Sequence, residues 1–94
     1  MGRAEYKVKG GKLIKVKLSE NGFKISQIKI TGDFFLHPEV LIDELEEALL
    51  VHPLDEAELT AFIEAFLSKR NATLLGASPA DFAKCMVMAV KKDA

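Results

Sequence analysis

The sequence has 94 residues, which is enough for one domain built around one hydrophobic core. Apolar residues make up 49% of it and charged residues 29%, with six glycines and three prolines, and these values exclude a disordered, collagen-like or low-complexity chain. The net charge is −1 and the apolar runs are only a few residues long, so we predict neither a nucleic-acid-binding nor a membrane-spanning protein.

The charges are unevenly distributed along the chain. Residues 1–31 contain eight Lys or Arg against two Asp or Glu, a net charge of +6. Residues 32–60 contain nine Asp or Glu and no Lys or Arg, a net charge of −9. This separation predicts two surfaces of opposite charge. The N-terminus lacks the apolar segment of a secretory signal, and Cys85 is the single cysteine, so we expect a cytoplasmic protein.

Three antiparallel strands are predicted in the first third of the chain, because apolar and charged residues alternate there. Two hairpin signals separate them, Gly10-Gly11 and Asn21-Gly22, which are both typical of two-residue turns. The predicted strands are Arg3–Lys9, Lys12–Ser19 and Phe23–Thr31.

The third predicted strand changes its alternation partway along. Phe23 and Ile25 have odd parity, whereas Ile28 and Ile30 have even parity, so a β-bulge is predicted near Ser26-Gln27. One face of the sheet then carries an exposed row of lysines, namely Lys7, Lys15, Lys17 and Lys29.

Helical spacing follows the strands. Pro38 is predicted at the first position of a helix whose apolar stripe is Leu41, Ile42, Leu45, Ala48 and Leu49. Asp55 and Glu58 resemble a capping box for a second helix, with an apolar face at Leu59, Phe62, Ile63, Phe66 and Leu67.

A third helix is predicted to begin at Ser78-Pro79, with Asp81 in its first turn and with Phe82, Met86, Ala89 and Val90 facing inward. Residues 71–75 fit either a connector or a short edge strand. We therefore predict an α+β fold in which a three-stranded antiparallel β-meander is followed by three helices packed on one face of the sheet.

Catalytic and metal-binding patterns are weak in this sequence. His37 and His52 each precede a proline and are read as helix-boundary residues, because zinc needs three or four converging ligands. Cys85 lies within a predicted helix with no evident base and is read as a buried apolar residue. The acidic residues of the first helix are read as a solvated or partner-facing surface; they are Asp43, Glu44, Glu46 and Glu47.

Three segments, GGKLIKVKL, ITGDFFLHPEVLIDELEEAL and LLGASPADFAKCMVMAV, resemble the C-terminal accessory domain of lipoate–protein ligases. The resemblance runs from about Gly10 to Val90 and is most specific at residues 30–35, with a second landmark at residues 76–82. It implies a single accessory-type domain over residues 1–94. The turn Val51-His52-Pro53 departs from the family because it lacks the expected glycine.

The resemblance implies a split enzyme, since in that family a large domain holds the lipoate pocket and the ATP site. This chain would be its non-catalytic accessory subunit, required with the large subunit for ATP-dependent activation of lipoate to lipoyl-AMP. The lipoyl group would then pass to a lysine of an acceptor protein. ATP, Mg and lipoate would bind the partner subunit, and this chain alone would bind no cofactor.

Two groups of residues are predicted to contact the large subunit. In the turn before the acidic helix, Gly32 permits a tight bend, Asp33 stabilises it, and one of Phe34 and Phe35 faces the core while the other faces the partner. The lysine row, Lys7, Lys15, Lys17 and Lys29, is predicted to attract phosphate or an acidic surface. The alternative is an interaction module that docks an acidic partner through this row and is unrelated to lipoylation. A stand-alone enzyme that uses Cys85 is disfavoured.

Overall fold

A computed structural model describes residues 2–10 and 12–93 of the chain, the last three of these by their backbone alone. The elements within these residues are, in chain order, β1 (Gly2–Lys7), β2 (Leu13–Asn21), β3 (Lys24–Gly32), β4 (Phe35–His37), α1 (Val40–Ala48), α2 (Glu56–Lys69), β5 (Thr73–Leu75) and α3 (Pro79–Asp93).

The first three strands form an antiparallel meander in the order β1–β2–β3, which confirms the predicted sheet. The inward residues of β2 are buried, and so are those of β3 except for the partly buried Ile28, because alternate residues of a strand face the same side of the sheet. The predicted bulge is also present: Ser19 pairs with Gln27 and Glu20 with Ile25, so Ser26 is the extra residue. The Ser26 hydroxyl donates a hydrogen bond to the carbonyl oxygen of Ser19 (3.1 Å).

The three helices lie on the inner face of this sheet and complete the α+β fold. Helix α3 packs across β1 and β2, α2 packs on α3, and α1 lies beside β3 and β4. Side chains from all three helices join the inward residues of the sheet in one core, whose largest fully buried members include Phe82, Ile14, Leu45, Ile63 and Met86. None of the helices among the described residues is long and apolar enough to cross a membrane.

The predicted helix starts hold for two of the three helices. Asp55 accepts a hydrogen bond from the backbone N–H of Glu58 (3.1 Å) at the start of α2. At the start of α3, the Asp81 carboxylate accepts hydrogen bonds from both the backbone N–H and the hydroxyl of Ser78 (2.9 Å each). Pro79 is the first residue of α3, where its missing N–H costs nothing.

The start of α1 was predicted two residues too early. Pro38 is not a helical residue but belongs to a turn, in which its carbonyl oxygen accepts a hydrogen bond from the N–H of Leu41 (3.0 Å). The helix itself begins at Val40, after Glu39. Because the bond from Leu41 spans three residues, the chain tightens there before α-helical spacing is reached.

The second hairpin turn was predicted one residue too early. Asn21 and Lys24 pair as the last strand residues, so the two-residue loop is Gly22-Phe23, and both loop residues have positive φ (60° and 67°). Phe23 is therefore exposed in the turn rather than facing the core. Its carbonyl oxygen accepts a hydrogen bond from the N–H of Leu54 (3.1 Å), which ties the loop to the α1–α2 connection. Gly11 of the other predicted turn lies outside the described residues.

A second, two-stranded sheet was only half anticipated. The segment 71–75, read as a connector or an edge strand, contains β5, which pairs antiparallel with β4. In this ribbon, Phe35 lies opposite Leu75, and His37 lies opposite Thr73. The ribbon joins the chain before α1 to the chain before α3.

Candidate functional site

The turn between β3 and β4 requires a glycine at position 32. Gly32 has a φ of +154°, and a Cβ atom there would collide with the carbonyl oxygen of Leu13 on the neighbouring strand. That oxygen also accepts a hydrogen bond from the N–H of Asp33 (2.9 Å). Backbone contacts thus fix the turn, and the exposed Asp33 side chain projects from it.

The two phenylalanines after this turn occupy different environments. Phe34 is half-buried and meets Phe82 of α3 edge to face, with ring centroids 4.9 Å apart. Phe35 is 49% exposed and lies parallel to the ring of His37 at 6.2 Å. The structure therefore places Phe34 against the core and Phe35 on the surface.

An apolar surface surrounds Phe35. Its cross-strand partner Leu75 is 59% exposed, and directly opposed residues of a sheet project from the same face. A cleft of about 280 Å³ lies beside Phe35, between the end of β3 and the start of α1. Its lining includes Thr31, Leu36 and Ile42.

The lysine face lies on the sheet surface away from the helices, and all four predicted lysines are exposed. Lys15, Lys17 and Lys29 line one concavity of about 530 Å³, together with Arg3, which the sequence analysis had not singled out. Lys7 lies on the same face but does not line the concavity, because it pairs with Leu13 at the far end of β1.

The strand register explains how these cations come together. Arg3 pairs with Lys17, and Lys17 pairs with Lys29, so three positive charges form one row across the three strands. We call Arg3, Lys17 and Lys29 the cation row. In the neighbouring row Lys15 lies between Glu5 and Thr31, and Glu5 is the acidic residue among those that line the concavity.

One of the acidic residues of α1 was assigned wrongly. Glu46 is half-buried, and its carboxylate accepts a hydrogen bond from the backbone N–H of Ile30 (2.6 Å) on β3. It therefore supports the sheet edge and is not part of a solvated surface. Asp43, Glu44 and Glu47 are exposed, and Glu44 also approaches Arg70 of the α2 C-terminus (3.6 Å).

The other candidates from the sequence, Cys85 and His52, have contacts that fit a role in the structure rather than in catalysis. Cys85 is fully buried, and its Sγ lies 3.6 Å from the carbonyl oxygen of Ala4 and 3.7 Å from that of Ile14. The His52 ring packs on Phe62 at 4.8 Å in the α1–α2 connection, as a helix-boundary residue does. Across the described part of the chain, no cluster of three or more His, Cys, Asp or Glu is placed to hold a metal ion.

Sequence reasoning missed a strained segment at the opposite end of the sheet. Val51 has a φ of +61° and is 74% exposed, in the turn where the resemblance led us to expect a glycine. Its N–H donates to the carbonyl oxygen of Ile25 (2.7 Å), which holds it beside the β2–β3 hairpin. The missing glycine was the signal that pointed to this conformation.

Comparisons with known proteins agree on one family. A family model described as bacterial lipoate protein ligase C-terminus matches residues 3–86. A relative from Thermoplasma acidophilum, Lipoate-protein ligase A subunit 2, is 35% identical over 81 residues, which are 86% of this chain and 82% of the relative.

A solved structure has the same fold. It is a chain from the structural analysis of an archaeal lipoylation system, a bi-partite lipoate protein ligase and its E2 lipoyl domain from Thermoplasma acidophilum. Its TM-score is 0.77 at 31% identity, over 89% of this chain and 91% of that chain.

Proposed function

The chain belongs to the family of lipoate–protein ligase C-terminal domains, and from this premise we propose that it is the small, accessory subunit of a two-subunit lipoate–protein ligase. The observation that carries the proposal is the match to a relative named as subunit 2 of a lipoate–protein ligase, over most of the length of both chains. The similarity to a chain from a bi-partite ligase system supports it.

In the proposed reaction, the large subunit activates lipoate with ATP to form lipoyl-AMP and then transfers the lipoyl group to a lysine of an acceptor protein. ATP, Mg and lipoate bind the large subunit, and the complex works in the cytoplasm. The proposal assigns no bond-making residue to this chain.

The small subunit acts in this proposal as a cover over the active site of the large one. A reactive acyl-adenylate hydrolyses readily, so an enzyme gains by excluding water while the adenylate exists. The small subunit has one hydrophobic core that joins its sheet to its helices. It is therefore suited to close over the site and then withdraw for the acceptor.

The test is an adenylation assay with the purified large subunit, ATP, Mg and lipoate, with and without this chain. We expect lipoyl-AMP to form at a substantial rate only when both subunits are present. Lipoyl-AMP synthesis by this chain alone would contradict its accessory role. An equal rate from the large subunit alone would contradict the need for a second subunit.

A second candidate function is an interaction module that binds an acidic partner outside lipoylation. The cation row favours it, because the three charges are exposed and directly opposed on neighbouring strands. The two functions are separated by the same assay. A module unrelated to lipoylation leaves lipoyl-AMP formation unchanged at any concentration.

A further inference from the structure

The two surfaces described above adjoin each other. Thr31 lines both the concavity of the lysine face and the cleft beside Phe35. The cation row ends at Lys29 on β3, only two residues before Thr31, and β3 is the edge strand on that side of the sheet. A basic surface therefore passes directly into an apolar one.

The cation row is unfavourable in the isolated chain. Like charges directly opposite each other on neighbouring strands repel, and the row contains two such pairs, Arg3 with Lys17 and Lys17 with Lys29. An anionic partner surface converts this repulsion into attraction. The arrangement thus selects a partner that carries several acidic groups, since one carboxylate does not neutralise a row spread over three strands.

The apolar part of the surface, on the β4–β5 ribbon, requires an apolar partner. Phe35 and Leu75 form an opposed pair on the ribbon and are both largely exposed to water. Covering such a pair releases water from apolar surface, and interfaces commonly place aromatic residues of this kind beside a polar rim. A partner that contacts both parts presents an apolar patch flanked by carboxylates.

We propose that the cation row and the Phe35–Leu75 pair form one docking surface, and that its occupant is an acidic-rimmed apolar surface of the large ligase subunit. The inference rests on the proposed function for the identity of the partner. It goes beyond that function by joining the two predicted contact regions into one surface, and by adding Arg3 and Leu75 to it.

A protein partner fits this surface better than a nucleic acid. A nucleic-acid duplex binds mainly through its phosphates and would leave Phe35 and Leu75 exposed beside it. The mixed apolar and cationic character is instead that of a protein interface, in which charge steers the encounter and apolar contact holds the complex.

The test measures association of the full chain with the purified large subunit by surface plasmon resonance at low and high salt. We expect Lys17→Glu to weaken binding by about tenfold at low salt, mainly through slower association, with the difference shrinking at high salt. We expect Phe35→Ala to weaken binding by a similar factor through faster dissociation, with little dependence on salt.

Matched controls carry the same substitutions elsewhere. Lys69→Glu makes the same charge change at the end of α2, and Phe23→Ala removes an exposed aromatic ring from the β2–β3 turn, at the other end of β3 from Thr31. Both should bind like the unmodified chain. Circular dichroism checks the fold of every variant. Lys29→Glu is a second variant of the cation row, and Leu75→Ala is a second variant of the apolar pair.

The inference is overturned if the folded surface variants bind as tightly as the unmodified chain, or if the controls weaken binding to the same extent. Binding that is indifferent to salt also contradicts it. These binding results are distinct from a failure of the proposed function. If the proposed function is wrong, the chain does not stimulate lipoyl-AMP formation at all. A chain that stimulates adenylation but binds through another surface leaves the function standing and removes this inference.

Discussion

Single backbone positions shape both ends of this fold. Gly32 ends the last long strand with a conformation that other residues avoid, and the neighbouring carbonyl oxygen leaves no room for a side chain. Val51 adopts a left-handed conformation that favours glycine, yet it is a β-branched residue. Glycine adopts the conformation at position 32 without strain, whereas valine is strained in the conformation at position 51.

Replacement of Gly32 by alanine should lower the free energy of unfolding by about 3 kcal/mol, because strain adds to a steric collision with backbone. Urea denaturation measures the loss. Gly22→Ala is the matched control, since Gly22 also has positive φ but open space around its Cβ position. It should cost only about 1 kcal/mol, and equal losses at the two positions would contradict the steric explanation.

Replacement of Val51 by glycine should raise the free energy of unfolding by about 0.5–1 kcal/mol. Relief of a left-handed conformation outweighs the greater freedom of glycine in the unfolded chain, and the exposed side chain loses little packing. Val40→Gly is the control, because Val40 is also exposed but begins a helix. Val40→Gly should lower the free energy of unfolding by roughly 0.5 kcal/mol. The thermal or urea midpoint should therefore rise in Val51→Gly and fall in Val40→Gly.

At the scale of elements, a side chain links α1 to the open edge of the sheet. β3 is an edge strand, and its outward N–H at Ile30 donates to the Glu46 carboxylate. An edge strand with unpaired backbone groups invites pairing with other chains, and this bond removes one such group. The helix is thereby held against the strand that leads into the Gly32 turn.

Removal of this carboxylate in Glu46→Ala should lower the free energy of unfolding by about 1.5–3 kcal/mol, as for other hydrogen bonds to charged groups. Hydrogen exchange of the Ile30 amide should accelerate relative to its neighbours. The control is Glu47→Ala, because Glu47 is the adjacent residue and is exposed. This substitution should leave the free energy of unfolding and the exchange rate of the Ile30 amide nearly unchanged. Unchanged exchange at Ile30 in Glu46→Ala would show that the bond does not protect this amide.

Elements whose contacts are local could be predicted from the sequence, and elements formed by distant contacts could not. The caps at Asp55 and Ser78 depend on residues three positions apart, and the bulge at Ser26 follows from parity within one strand. Strand β4 was missed because its partner β5 lies more than thirty residues later in the sequence. Glu46 was misassigned for the same reason, since only the folded chain brings it to the sheet edge.

The candidate surface was predicted in the same partial way. Alternation alone placed the four lysines on one face, but the register was needed to show that Lys17 and Lys29 are directly opposed and that Arg3 joins them. A choice between Phe34 and Phe35 required the packing of Phe82, which is contributed by a helix near the other end of the chain. Leu75 entered the surface only through its pairing with Phe35.

At the scale of the whole molecule, charge is segregated as the sequence predicts. The strands of the first third present the cations on the outer face of the sheet, whereas the exposed acids cluster on α1 and on the start of α2. A small domain with two oppositely charged sides approaches a partner in a preferred orientation. This polarity is consistent with the proposed docking on the large subunit, in which one charged side faces the partner.

The most direct measurement is a titration of the large subunit with this chain, in which lipoyl-AMP is followed at fixed ATP and lipoate. We expect the rate to rise from near background and to reach a plateau at one chain per large subunit. A large subunit that is fully active before any chain is added would contradict it, and so would a rate that stays at background throughout the titration.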